Sequence, residues 1–246
     1  LLAIRLFGGG GQRRALAVSV LLFLACPALA AELPGGFVRL SDVDPTIRQD
    51  MRYAGPGNFL GRRVDGYEAA VCLLTRPAAE ALAKAQKALA TQNLSLVVFD
   101  CYRPERAVAD FVRWTRQGGP PDPRWHPKVK RGDLIAKGYI GARSAHSRGS
   151  TIDLGIVPLQ GAPAADPACG AAGANTLDFG TGFDCFDPAS ETASRGVSGD
   201  VSKNRRLLVE TMTAAGFRNY RREWWHFTLA NEPYPRKRFD FPVTAD

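Results

Sequence analysis

Only three histidines occur among the 246 residues, His126, His146 and His226, so chemistry that needs imidazoles has few places to sit. His146 lies in Ser144-Ala145-His146-Ser147-Arg148-Gly149-Ser150-Thr151-Ile152-Asp153, and His226 closes Glu223-Trp224-Trp225-His226. Two imidazoles and one carboxylate can hold zinc with its fourth position open to water, the pattern of catalytic rather than structural sites. Water at such a site loses its proton near neutral pH. Glu223, three residues before His226, is then a candidate general base. A fold that uses these residues is tightly constrained. On one straight strand, His146 and Asp153 would point to opposite faces. They converge only if Gly149 turns the chain and Asp153 starts or lies within the strand behind it. Glu223 and His226 pose the same problem and ask for a bend or bulge. Chemistry alone leaves a second reading open: core histidines with satisfied ring nitrogens, and Asp153 as a turn or helix cap.

The rest of the chain reads as mixed elements. Leu40 to Tyr53 suggests a short helical turn followed by an extended piece, and Asn58 to Gly66 is turn-rich. Ala78 to Ala90 carries Ala and Leu at helical spacing without Gly or Pro. Leu94 to Cys101 contains the unbroken apolar run Leu96-Val97-Val98-Phe99 and predicts a buried strand. Pro104 opens a second helix through Ala107, Phe111 and Trp114, halted by Gly118-Gly119-Pro120-Pro121. Thr151 to Val157 predicts a strand, Leu159 to Gly182 a loop, Lys203 to Ala215 a helix ended by Gly216, and Trp224 to Leu229 a last strand. Helices and strands neither alternate strictly nor segregate. The expectation is an α+β single domain, a mainly antiparallel sheet flanked by helices, with the zinc site in a central cleft.

Residues 1–30 read differently. Arg5, Arg13 and Arg14 precede the apolar run Ala15 to Ala25, and Ala28-Leu29-Ala30 offers a cleavage site. That pattern predicts a secretory signal peptide, too short for a membrane span, ahead of a domain over 31–246. The expected location is periplasmic or secreted. Phe23 and Pro27 flank Cys26 poorly for lipidation. The formal charge of +8 includes those three arginines. The modest surplus left without them fits loose association with an anionic cell envelope. No basic stripe interleaved with aromatics marks a nucleic-acid partner, and the later apolar stretches are too broken to span a membrane. Cys72, Cys101, Cys169 and Cys185 form no Cys-x-x-Cys pair, which argues against a thiolate metal site. In an oxidising compartment Cys169 with Cys185 is the more attractive disulfide; for Cys72 and Cys101, a bond and buried thiols both remain open. His126, in Arg124-Trp125-His126-Pro127, is expected on a surface loop.

Beyond these patterns, Ser144 to Asp153 and Glu223 to His226 resemble the paired signatures of VanX-type D-alanyl-D-alanine dipeptidases, relatives of lysostaphin-like and hedgehog-like zinc domains. Further matches run in order: Arg52-Tyr53-Ala54, Asn58-Phe59, Val64-Asp65-Gly66-Tyr67, Asp100 with Tyr102-Arg103-Pro104, and Lys137-Gly138-Tyr139. Phe183-Asp184, Asn204-Arg205-Arg206, Glu232-Pro233-Tyr234-Pro235 and Phe239-Asp240-Phe241-Pro242 continue them, so the likeness spans about residues 40 to 243. The resemblance implies one Zn2+ per chain held by His146, Asp153 and His226, with Glu223 as catalytic base. It implies Arg103 as the oxyanion partner, and Tyr53, Ser144 and Asp184 around the amino group of a small dipeptide. A structural ion pair with Asp100 is the plainer role for Arg103. Two departures stand out. Ala145 replaces a small polar residue, and Leu159 to Gly182 is longer than in the shortest relatives, so it is expected to reshape the substrate mouth. The alternatives carried forward are a D,D-carboxypeptidase acting on peptidoglycan stems and a zinc-bearing binding module without turnover.

Overall fold

The apolar run at Leu96 becomes the middle of β4 (Leu94–Asp100), and every residue of β4 after Leu94 is buried. β5 (Thr151–Pro158) lies antiparallel beside it, with Leu96 opposite Ile156 and Asp100 opposite Asp153. These two strands form the centre of a five-stranded sheet ordered β2-β4-β5-β7-β6 in a computed structural model that describes residues 33–245. β2 (Arg48–Gln49) joins β4 in parallel, while β7 (His226–Leu229) and β6 (Phe217–Asn219) extend the antiparallel side. A separate ladder pairs β1 (Phe37–Arg39) with β3 (Leu73–Thr75). α1 (Leu40–Val43) follows β1, and α2 (Arg76–Ala90) packs on β4 and on α4 (Gly199–Ala214). α3 (Glu105–Arg116) follows β4 directly. The result is the expected α+β domain with a mainly antiparallel sheet flanked by helices.

Boundaries moved for local reasons. α4 starts at Gly199, ahead of the apolar spacing, because the Ser198 hydroxyl accepts from the Val201 amide and caps the first turn. β7 starts at His226, since the residues before it form a turn. β1, β3 and β6 are three residues each, too short for alternation to register.

Both disulfides are present, Cys72–Cys101 and Cys169–Cys185, each with Cα atoms 5.3 Å apart. The first ties the residue before β3 to the residue after β4. The second closes part of the long loop from Leu159 to Gly182. That loop corrects one expectation: none of its residues lines the central cleft. It runs over the sheet instead, where the Leu177 amide donates to the Ile156 carbonyl and Thr176 packs over Gly155. It then delivers Phe183, stacked on Phe99, and Asp184 into place from behind. α4 secures the same segment through Arg205, 1% exposed, which donates to the carbonyls of Phe179, Ala189 and Glu191. His126 is a second correction. It is fully buried, because the segment around it folds back on α3: Nδ1 lies 2.7 Å from the Val129 carbonyl, and the ring meets the edge of Trp114. The signal-peptide segment lies outside the described residues.

One glycine decides whether the site can form. Gly149 has φ +80° and ends the 3₁₀ turn His146–Arg148, and a Cβ there would stand 2.3 Å from the Phe37 ring. Gly149→Ala is therefore expected to lower the unfolding free energy by about 2–4 kcal/mol, from combined strain and overpacking. Urea denaturation followed by circular dichroism measures this; an unchanged midpoint would mean that the turn is not under this constraint.

Candidate metal centre and its cleft

The turn at Gly149 returns the chain so that Asp153, third residue of β5, lies beside His146 rather than on the opposite face. Asp153 pairs with His226 on β7 and with Asp100 on β4, so three neighbouring strands set Asp100, Asp153 and His226 in one row. His146 comes in from the turn. Its Nε2 lies 3.2 Å from Asp153 Oδ2 and 3.3 Å from His226 Nδ1, and His226 Nδ1 lies 3.0 Å from Asp153 Oδ1. All three donor atoms fall within 4.8 Å of one another.

This triangle suits a metal ion better than a hydrogen-bonded cluster. His146 Nδ1 donates to the Cys101 carbonyl at 2.7 Å, which leaves a lone pair on Nε2 facing the other donors. Asp153 Oδ1 is buried and makes no aligned hydrogen bond, although His226 is close. Ligands about 2.0–2.1 Å from a tetrahedral ion stand roughly 3.3 Å apart, close to the observed spacings. The electrostatics agree. Burial alone would raise the Asp153 carboxyl, but His146 and His226 beside it hold it well below the usual carboxylate range. Burial would lower the His226 imidazole, yet Asp153 and Glu223 lift it above its ordinary value. A metal ion would compete with that proton.

The bend foreseen between Glu223 and His226 is a turn: the Glu223 amide donates to the Tyr220 carbonyl, and the His226 amide to Glu223. Asn219 locks it. Its Nδ2 donates to the carbonyls of both Glu223 and His226 at 3.1 Å, while its Oδ1 accepts from Thr192. Asn219 carries no signal in the sequence, being a lone Asn at the end of a three-residue strand. Glu223 Oε2 lies 3.6 Å from His226 Nδ1, and the side chain keeps 17% exposure towards the cleft. Burial, and then Asp153, push its carboxyl up to about 7. A carboxylate poised there can accept and return a proton near neutral pH.

Arg103 does two things at once. Its Nε donates to Asp100 Oδ2 at 2.8 Å, so the plain ion pair exists, and its Nη2 also reaches Asp153 Oδ2 at 3.4 Å. Its guanidinium sits 5.1 Å over the Tyr53 ring and lines the cleft. Asp100, fully buried, takes Tyr67 Oη on its other oxygen and lies 3.4 Å from His146 Nδ1. That one carboxylate orients both Arg103 and His146, a role the Tyr-Arg-Pro motif did not advertise. Tyr53 Oη donates to Asp184 Oδ2 at 2.9 Å, with both residues buried and Asp184 at φ +62°. Burial, followed by the charge of Asp153, raises the Asp184 carboxyl well above its ordinary value. Ser144 lines the cleft, and its Oγ accepts from the His146 amide at 3.2 Å. All eight expected residues thus meet around one cleft of about 450 Å³. The Trp pair divides: Trp225 lines the cleft, whereas Trp224 stacks on Phe179 in the core and donates to Thr181.

Similarity to known proteins spans nearly all of the described chain. A family model described as D-ala-D-ala dipeptidase matches residues 34–244. A D-alanyl-D-alanine dipeptidase of Enterococcus faecium is 39% identical over 210 residues, covering 85% of this chain and 98% of that protein. Proteins of the same description from Enterococcus faecalis and Streptomyces coelicolor are 37% and 38% identical, each covering 86% of this chain and 100% of their own length.

The donor triangle generates a direct expectation of one divalent metal ion per chain. Elemental analysis of purified protein should find it, and His226→Ala should lose nearly all of it while retaining the fold by circular dichroism. Full metal content in that variant would place the ion elsewhere.

Proposed function

The chain belongs to the D-Ala-D-Ala dipeptidase family, and on that premise we propose how its own residues carry the reaction. The protein is a peptidase that hydrolyses D-Ala-D-Ala to two D-alanines. The observation that carries this reading is the open His146/Asp153/His226 set beside Glu223 and Arg103, in a cleft whose other end holds Asp184. Two imidazoles and a carboxylate are a donor set that zinc favours. Zinc bound there supplies Lewis acidity and a water acidic enough to react near neutral pH.

The chain does the rest. Asp184 accepts the substrate ammonium, assisted by Tyr53 and Ser144, and its raised carboxyl regains charge against that cation. Arg103, pinned by Asp100, offers a permanent positive charge where the amide oxygen becomes negative. Glu223 takes a proton from the attacking water and delivers it to the departing nitrogen. A C–O bond forms, the C–N bond breaks, and two free amino acids leave. A D,D-carboxypeptidase would need an open groove at the amino end of the substrate. Asp184 is 5% exposed and Tyr53 1%, which favours a closed pocket and a free dipeptide. A binding module without turnover would need neither Glu223 nor Arg103.

The cell biology we propose is turnover of dipeptide from wall metabolism, outside the cytoplasm. Two disulfides suit an oxidising compartment, and the basic and apolar order of residues 1–30 supports export. No helix among the described residues is long and apolar enough to cross a membrane. Exported protein should begin at Ala31 or Glu32 by intact mass; a mature form still carrying Arg13 and Arg14 would contradict this.

Glu223→Ala should fold, keep its metal and lose about 10²–10⁴-fold in kcat, the usual contribution of general acid–base catalysis. A rate within a few-fold of the parent would assign the proton transfer to another group.

A further inference from the structure

The cleft is polarised along its length. Its inner end carries Asp184 and Tyr53, and Arg103 stands between Tyr53 and Asp153. From there the donors run across the sheet, from Asp153 on β5 to His226 on β7 and on towards β6 at the edge. Tyr220, just past β6, meets the His226 ring at 5.6 Å. On β7, Thr228 shares the face of His226, and Arg218 on β6 is its direct partner. Two positions along a strand amount to roughly 6–7 Å, so Arg218 emanates one rung beyond the metal donors. Arg143 reaches the same cleft from the segment just before Ser144.

Arg143 and Arg218 differ from the other arginines here. Arg103 is held by Asp100 and Asp153, and Arg222 lies over Tyr139 while donating to the carbonyls of Lys137 and Gly138. Arg143 and Arg218 both line the cleft and are exposed, and neither side chain has an ion-pair or hydrogen-bond partner among the described residues. The inner acids therefore face two uncommitted cations across the donor triangle.

We propose that Arg143 and Arg218 form the subsite for the carboxylate of the substrate's second residue, so that the cleft selects a zwitterion by both ends. This rests on the dipeptidase reading. Two extended residues span about 7 Å. With the ammonium at Asp184 and the amide at the metal donors, the carboxylate emerges on the β6 side, within reach of a long arginine side chain. Guanidinium groups match carboxylates through paired N–H donors. The same cations would draw a free acid towards the mouth and give nothing to a neutral ester or amide.

The test is a cycle between protein and substrate, using D-Ala-D-Ala and D-Ala-D-Ala amide at fixed metal content. The parent should prefer the acid, and Arg143→Ala with Arg218→Ala should raise KM for the acid roughly ten-fold, as charge-assisted contacts at an accessible site do. The amide should be affected little, so the preference collapses in the double variant and survives when both positions are Lys. Both arginines are exposed, so folding is not at issue. A parent that hydrolyses both substrates equally, or a double variant that keeps the full preference, overturns the carboxylate subsite and leaves the dipeptidase reading intact. No hydrolysis of D-Ala-D-Ala by the parent overturns both.

Discussion

Four acids crowd one small volume of this protein, and the cost of burying them governs the rest of the site. Asp100, Asp153 and Asp184 are buried, and Glu223 lies at the cleft wall beside them. Burying a carboxylate costs several kcal/mol unless it is paired and hydrogen-bonded. Arg103 spans Asp100 and Asp153, Tyr67 and Tyr53 each donate to one acid, and two imidazoles flank Asp153. Those partners do not offset the burial in full: burial first, and then the neighbouring Asp153, raise the carboxyls of Asp184 and Glu223. A divalent cation held at the triangle would offset part of that cost. Metal binding, folding of the site and the protonation of its acids are therefore one coupled equilibrium.

Much of this was legible in the chain because the site is built from local chemistry with unusual demands. Few histidines, a glycine between His146 and Asp153, and a Glu just before His226 each impose geometry, and the structure meets that geometry with a left-handed turn and a reverse turn. The central strands were legible for a different reason: a strand buried on both faces must be apolar throughout. The partners that hold the ligands were not. Asp100 was legible as a partner of Arg103 but not of His146, and no period of the chain encodes the carbonyls that Asn219 and Arg205 hold. His126 went astray in the same way. A histidine among Arg, Trp and Pro reads as surface until the segment is seen folded onto Trp114.

The long loop teaches something similar about specificity. Its position before Asp184 suggested a rim for the cleft, but its backbone bonds tie it to β5 and its disulfide anchors it behind Asp184. On the proposed reading it would shape the amino-terminal pocket by fixing one side chain rather than by covering the mouth. The outer end of the cleft is left to exposed residues on β6 and before Ser144. The proposed selectivity would thus be divided between a rigid acidic end, determined by the core, and a basic end carried on the surface, where substitution costs the fold little.

The account rests on a closed acidic pocket that demands a free amino terminus. Comparing kcat/KM for D-Ala-D-Ala with that for its N-acetyl form, at equal zinc loading, addresses it directly. Acetylation deletes the ammonium and leaves Asp184 buried beside Tyr53 without a cation, a loss of roughly 3–5 kcal/mol by analogy with broken buried pairs. Two or more decades in efficiency should disappear. Equal turnover of the two substrates would contradict the dipeptidase account and favour an enzyme that trims the ends of longer stems.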